Sequence, residues 1–226
     1  MKDQLAVSMR STTSTAREFM HDLAASGFSC IQIDAQHADF QDLTVSGHRD
    51  VAATLRRSGL RAGGVDFLAS PQRWESNADQ TLSGLKRAVA LATSIEHVPV
   101  SVCVPLDEDI IEAVITVGIE AGVLPIAHRS APFDNPNIGW GLPVALLAKE
   151  EQPMKTLAGA AFGPIALRLS GNILGSTTLG IDEDTVELSE LRGVLDAMGW
   201  SPIPVIDASG DEAADISCAW QSAGPW

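Results

Sequence analysis

The sequence predicts one α/β domain, a trimmed (β/α)8 TIM barrel in which the helix after strand five is reduced or missing. Three observations point there. Short β-rich runs alternate with amphipathic helical stretches along the chain, as parallel βα units require. Eight such runs fit in 226 residues, a length at which α/β barrels form a single domain. No linker, composition shift, internal repeat or low-complexity segment divides residues 1–226.

Residues 5–9 read as strand one, and residues 13–26 as a helix with Phe19, Met20 and Leu23 on one side and Gly27 as its stop. Residues 29–34 (SCIQID) form strand two. A helix over 45–58 carries Val51, Leu55 and the Arg56-Arg57 pair before Gly59. Strand three covers 60–67, followed by a long helix over 79–94. Strand four covers 98–104, and the helix over 107–121 opens on Asp107, Glu108 and Asp109, where negative charge suits the helix dipole. Strand five covers 123–129. Residues 130–141 (SAPFDNPNIGWG) carry Pro, Asn and Gly without helical spacing, so no helix is expected there. Strand six is placed at 144–149, a short helix at 150–162 and strand seven at 165–170. A helix over 183–198, strand eight at 203–209 and a closing helix over 211–222 complete the reading. A doubly wound sheet would alternate in the same way. However, the first βα turn, Ser8 to Thr12, has no glycine fingerprint, and no GxxxxGK[ST] occurs.

Composition narrows the partners. Fifteen basic against twenty-nine acidic residues give a net charge of −14, which repels nucleic acid and anionic lipid. No nucleic-acid or membrane partner is therefore expected. Cys30, Cys103 and Cys218 are widely spaced and odd in number, so reduced thiols fit better than a disulfide framework. The first residues lack the apolar run of a secretory signal, and no stretch reaches the roughly 20 apolar residues of a membrane span. A cytoplasmic location is expected.

Barrel sites gather at the C-terminal ends of the strands. There the sequence offers Asp34, Gln36 and His37 after strand two, Asp66 in strand three, and His128 and Arg129 after strand five. Lys149 and Glu150 follow strand six, Arg168 and Ser170 strand seven, and Asp207 strand eight. Asp34 and Asp207 are candidate bases, and His37 and His128 candidate acids, because imidazole titrates near neutral pH. Asp66, Arg129, Lys149 and Arg168 are candidate substrate-binding groups, the cations holding an oxyanion, carboxylate or phosphate. Arg168 has a second reading, as the ion-pair partner of Asp207. His37 equally suits a solvated loop, and His128 a structural role. The GNILGSTTLG stretch (residues 171–180) reads as a loop, with or without a phosphate cradle. Trp74, Trp140 and Phe133 are read in loops, as sugar-stacking groups or as cover for the open flank.

Three stretches resemble the xylose isomerase-like family of sugar phosphate isomerases and epimerases. They are GFSCIQID (residues 27–34), DEDIIEAVITVGIEAGVLPIAH (107–128) and the segment from IALRLSGN to IPVID (165–207). The resemblance implies a divalent metal held by a Glu ending strand five, an Asp on strand six, a His on strand seven and a Glu on strand eight. Placed residue by residue, those positions fall on Ala127, Leu147 or Ala148, Arg168 and Asp207. Only the last is a carboxylate, so the family's metal site is degenerate here and no cofactor is expected. The resemblance implies a sugar isomerase or epimerase acting on a small sugar or polyol. The alternative is a non-catalytic carbohydrate- or anion-binding barrel, or a subunit of a larger assembly. A metal-free carbon-acid enzyme of another kind is a third reading. The missing helix leaves an apolar flank that a second copy of the chain can cover.

Overall fold

In the computed structural model, which describes residues 5–181, 183–208 and 210–224, eight parallel strands close into a barrel. In chain order the elements are β1 (Ala6–Ser8), α1 (Ala16–Ala25), β2 (Cys30–Asp34), α2 (Val45–Ser58), β3 (Arg61–Phe67), α3 (Pro71–Ser76) and α4 (Ala78–Ser94). There follow β4 (Val100–Val102), α5 (Glu108–Ala121), β5 (Pro125–His128), β6 (Gly139–Pro143), α6 (Val144–Leu147), α7 (Pro153–Ala158) and β7 (Ala166–Leu169). The last are β8 (Asn172–Leu174), β9 (Thr178–Ile181), β10 (Asp184–Glu187), α8 (Leu188–Ala197), β11 (Ile203–Ile206) and α9 (Gly210–Ser222). The barrel runs β1-β2-β3-β4-β5-β6-β7-β11 and back to β1, so the fold is the expected (β/α)8 TIM barrel.

Local chemistry sets where the helices begin and end. Thr15 and Glu18 form a reciprocal capping box at the start of α1. The Asp107 carboxylate accepts the Ile110 amide at the start of α5. Both α2 and α5 stop at a glycine in the left-handed region, Gly59 at φ +70° and Gly122 at φ +64°. Outward-facing strand residues such as Val7, Ile31, Ile33, Val65 and Leu167 are buried beneath the helices. Among the described residues no helix is long and apolar enough to cross a membrane.

Residues 129–138 contain no helix, as expected. The flank left open there is a groove lined by Leu106, Ile111, Ile115, Ile119 and Phe133. Three placements differ from the sequence reading. Strand six is Gly139–Pro143, within and just past the stretch read as a loop, and residues 144–147 form one helical turn instead. The glycines that suggested a break are required by close packing. A Cβ on Gly139 would lie 2.6 Å from Ile165, and one on Gly141 would lie 2.5 Å from the His128 ring. Residues 171–180 are no open loop, because β8 and β9 pair antiparallel, and β10 adds a third strand. The helix read over 183–198 therefore starts only at Leu188, its first residues serving as β10. Trp74 lies in α3, buried, with its indole N–H on the Cys103 carbonyl at 2.8 Å.

Candidate functional site

The barrel interior is built in layers. Ala6, Cys30 and Val205 form a small apolar layer near the N-terminal ends of the strands. One pleat further along, β1 and β2 present Ser8 and Gln32, and β3, β4, β5 and β7 present Asp66, Ser101, His128 and Arg168. All six are buried. Alternation along a strand puts residues two apart on one face, so inward positions that hold branched aliphatics in most barrels are polar here.

Arg168 organises this layer. Its Nη1 and Nη2 donate to the two oxygens of Asp66 at 2.9 and 2.8 Å. Its Nε and Nη2 donate to the two oxygens of Asp207 at 2.6 and 2.5 Å. Nη2 also reaches the Ser8 hydroxyl at 3.4 Å, and that hydroxyl donates to Asp66 at 3.2 Å. The Gln32 amide donates to Asp66 at 2.8 Å and to Ser101 at 3.3 Å. One planar cation thus grips two carboxylates in bidentate fashion. Burial alone would raise the Asp66 pKa. The Arg168 charge and hydrogen bonds, with help from Gln32, overcome it and hold the carboxyl below its ordinary range. The same two carboxylates outweigh burial at Arg168 and keep the guanidinium protonated more firmly than usual.

His128 is the anomaly. It is 7% exposed, and neither ring nitrogen has a hydrogen-bond partner among the described residues. Burial, reinforced by the Arg168 charge, lowers its pKa to about 3, so the imidazole is neutral at physiological pH. Gly141 on the adjacent strand makes room for the ring. Asp34, at the end of β2, is half-buried and its pKa is raised, chiefly by burial and further by Asp66, although the Gln36 amide donates to it at 2.9 Å. Arg10, exposed just beyond β1, is within electrostatic reach of Asp34, His128 and Cys103.

The structure therefore brings Asp66, Arg168 and Asp207 into direct contact, with His128 and Asp34 close enough to feel their charges. His37 is committed elsewhere. Its Nδ1 accepts the Asp39 amide at 3.2 Å, which leaves the proton on Nε2, 3.2 Å from the Ser14 carbonyl. Arg129 lies over the Phe133 ring at 4.0 Å, and burial lowers its pKa. Lys149 is exposed and follows α6, so it ends no strand; its expected place rested on the misassigned strand six. Ser8, Gln32 and Ser101 were missed, as was Arg10. The signal for the first three was present, since each is a polar residue flanked by apolar ones inside a predicted strand.

No family model and no curated protein sequence matches the chain. Solved structures do. A D-tagatose 3-epimerase-like protein superposes with a TM-score of 0.73 at 14% identity, over 97% of this chain and 96% of that one. The IOLI protein with a bound zinc atom gives 0.72 at 12% identity, over 97% and 96%. A xylose isomerase-like TIM barrel protein from Mycobacterium smegmatis in complex with magnesium gives 0.69 at 12%, over 98% and 95%. The fold is that of the xylose isomerase-like barrels.

Two of those barrels are described with a metal ion, so the fit of this chain to one can be tested on its residues. Ala127 packs in the apolar core, and the inward residue of strand five is His128, one position from where the resemblance placed the metal-binding Glu. Strand six offers Gly141 and Pro143 beside β5 and β7, neither with a ligand side chain, in place of the expected Leu147 or Ala148. Arg168 places a fixed positive charge on the carboxylates Asp66 and Asp207. Among the described residues no group of three or more His, Cys, Asp or Glu is arranged to hold an ion. The side chains present do not fit a divalent metal in this xylose isomerase-like barrel.

Proposed function

We propose that this barrel is a sugar isomerase/epimerase-like protein that takes a small sugar or polyol into its C-terminal mouth without a divalent metal. The observation that carries the reading is His128, whose two ring nitrogens lie inside the barrel without a hydrogen-bond partner among the described residues. Leaving such a group unsatisfied costs about 1–3 kcal/mol, and a ligand hydroxyl removes that cost. A neutral imidazole offers one donor and one acceptor, the complement of a hydroxyl group. The Arg168 charge is already committed to two carboxylates, so the layer makes no demand for an anion.

In this reading Asp34 and His128 handle the proton that moves between adjacent carbons. The raised pKa of Asp34 brings it nearer the range useful for acid–base work. Asp66, Arg168 and Asp207 form a rigid polar floor. His37 positions the loop after β2, Arg129 and Phe133 border the strand-five end, and Lys149 has no part.

A second reading, a non-catalytic sugar-binding barrel, is favoured by the state of Asp207. Both of its oxygens are taken by Arg168, so the remaining carboxylate of the family pattern is turned onto the guanidinium instead of toward a ligand. Two measurements on one panel of aldoses, ketoses and polyols separate these readings: thermal shift, and NMR-detected exchange in D2O at the carbon beside the carbonyl. An isomerase gives a sugar-dependent rise in melting temperature and exchange that His128→Ala and Asp34→Asn abolish. A binder gives the rise without exchange. Neither response with any member of the panel discards both.

A further inference from the structure

The cluster around Arg168 has the anatomy of an occupied cation site. Asp66 and Asp207 come from strands separated by β1 and β2, yet both turn both of their oxygens onto one positive group. A single nitrogen, Nη2, lies 2.8 Å from Asp66 and 2.5 Å from Asp207, so the two carboxylates approach each other closely with the cation between them. Asp66 is fully buried and the Asp207 side chain only 18% exposed. Two carboxylates so placed require positive charge to offset their repulsion and lost hydration. The Ser8 hydroxyl accepts from the same nitrogen and from the Arg10 amide while its proton goes to Asp66, so removal of the guanidinium frees one of its lone pairs. The wall also contains His128, buried, in electrostatic contact with both Arg168 and Asp66, its ring nitrogens without a hydrogen-bond partner among the described residues. The donors are carboxylate and hydroxyl oxygens, the set that hard divalent ions prefer.

We propose that Arg168 is a tethered counter-ion filling a cation site made by Asp66, Asp207 and Ser8, so that the native barrel neither needs nor admits a divalent ion there. Removal of the guanidinium opens that site to Mg²⁺ or Mn²⁺, held by the two carboxylates, the serine oxygen and water. The consequence for the native protein is a positive charge that no chelator removes and no shortage of metal depletes. The inference stands on the Arg168 geometry and does not depend on which sugar, if any, the mouth receives.

The test uses the full chain and the ions alone, followed by calorimetric titration and thermal melting in wild type, Arg168→Ala, Arg168→Met and Arg168→Ala/Asp207→Asn. Wild type is expected to melt at the same temperature in EDTA and in millimolar Mn²⁺. Arg168→Ala is expected to bind one Mn²⁺ per chain, its melting temperature rising by roughly 5 °C when the ion is a hundredfold above its Kd. Arg168→Met fills the vacated space with apolar atoms and is expected to bind none. The double variant is expected to bind roughly tenfold more weakly or worse. If Arg168→Ala folds only with Mn²⁺ present, that rescue is itself the expected response. Stoichiometric Mn²⁺ in wild type overturns the proposal. So does an Arg168→Ala protein that ignores the ion, or one that stays unfolded with and without it.

Discussion

Arg168 and Asp66 stand on diametrically opposed strands, β7 and β3, four steps apart either way around the barrel, and their side chains meet across its bore at 2.8 and 2.9 Å. They are 102 residues apart in sequence. The pair therefore ties the two halves of the barrel together through its interior, in addition to the strand ladder around the wall.

That tie sets the first expectation. Asp66→Asn leaves the buried guanidinium with Asp207 alone and is expected to cost about 3–5 kcal/mol, the usual penalty for breaking a buried ion pair from one side. Urea unfolding with an unchanged m-value measures it. A loss under 1 kcal/mol means that the pair does not hold the fold.

Acid sensitivity follows from two depressed pKa values. His128 titrates at about 3 when folded and near 6.5 when unfolded, so between these values the unfolded chain binds more protons and acidification destabilises the fold. The contribution is present in full above about pH 6.5 and is lost progressively as pH falls toward 3, roughly 5 kcal/mol in all. Asp66 has the same sign at lower pH, its stabilisation lost as pH falls through its depressed folded value. Asp34, with a raised folded pKa, works in the opposite sense. Comparing wild type with His128→Asn by urea titration from pH 7 to pH 4 isolates the histidine. The variant is expected to lose the steeper part of the slope between pH 6.5 and 4, and parallel curves would rule the histidine out.

Gly141 and His128 form a matched pair on neighbouring strands. A methyl group on Gly141 would lie 2.5 Å from two atoms of the imidazole, so Gly141→Ala must displace the ring or the strand. The expected loss is about 1–3 kcal/mol, typical of overpacking. Adding His128→Ala empties the space the methyl group needs, so the double variant is expected to be more stable than the two single losses together imply. Strict additivity in the cycle would show that the contact is not the cause.

Trp140 tests the strand that the sequence reading misplaced. Its indole N–H donates to the Arg129 carbonyl at 2.8 Å from a buried position in β6. Trp140→Phe leaves that carbonyl unpaired and is expected to cost about 1–2 kcal/mol. Hydrogen exchange should report faster opening of residues 129–141 in the variant. Unchanged protection there would contradict the observed anchoring of the strand.

The order of strands and helices could be read directly from the residues. Amphipathic spacing, an Asp or Thr before a helix and a Gly after one are local signals, and residues 45–58 and 107–121 were placed within a residue or two of α2 and α5. Local signals fail where long-range contact decides. Gly139 and Gly141 read as turn residues, but they are small because a side chain from a neighbouring strand or the following segment fills the space above each of them. The segment after β7 failed for a related reason. A strand edge pairs wherever a partner is brought to it, and β8, β9 and β10 are too short to show a period of their own.

By itself the sequence determined a barrel of parallel strands, an open flank after strand five, and the carboxylates, imidazoles and cations available to its mouth, because periodicity and residue type are properties of short stretches. Which of those groups meet was decided only by closure of the barrel. Ring closure sets strand order, and alternation sets which side chains enter the bore; together they put Arg168 between Asp66 and Asp207, leave His128 without a hydrogen-bond partner among the described residues, and send Lys149 to the surface.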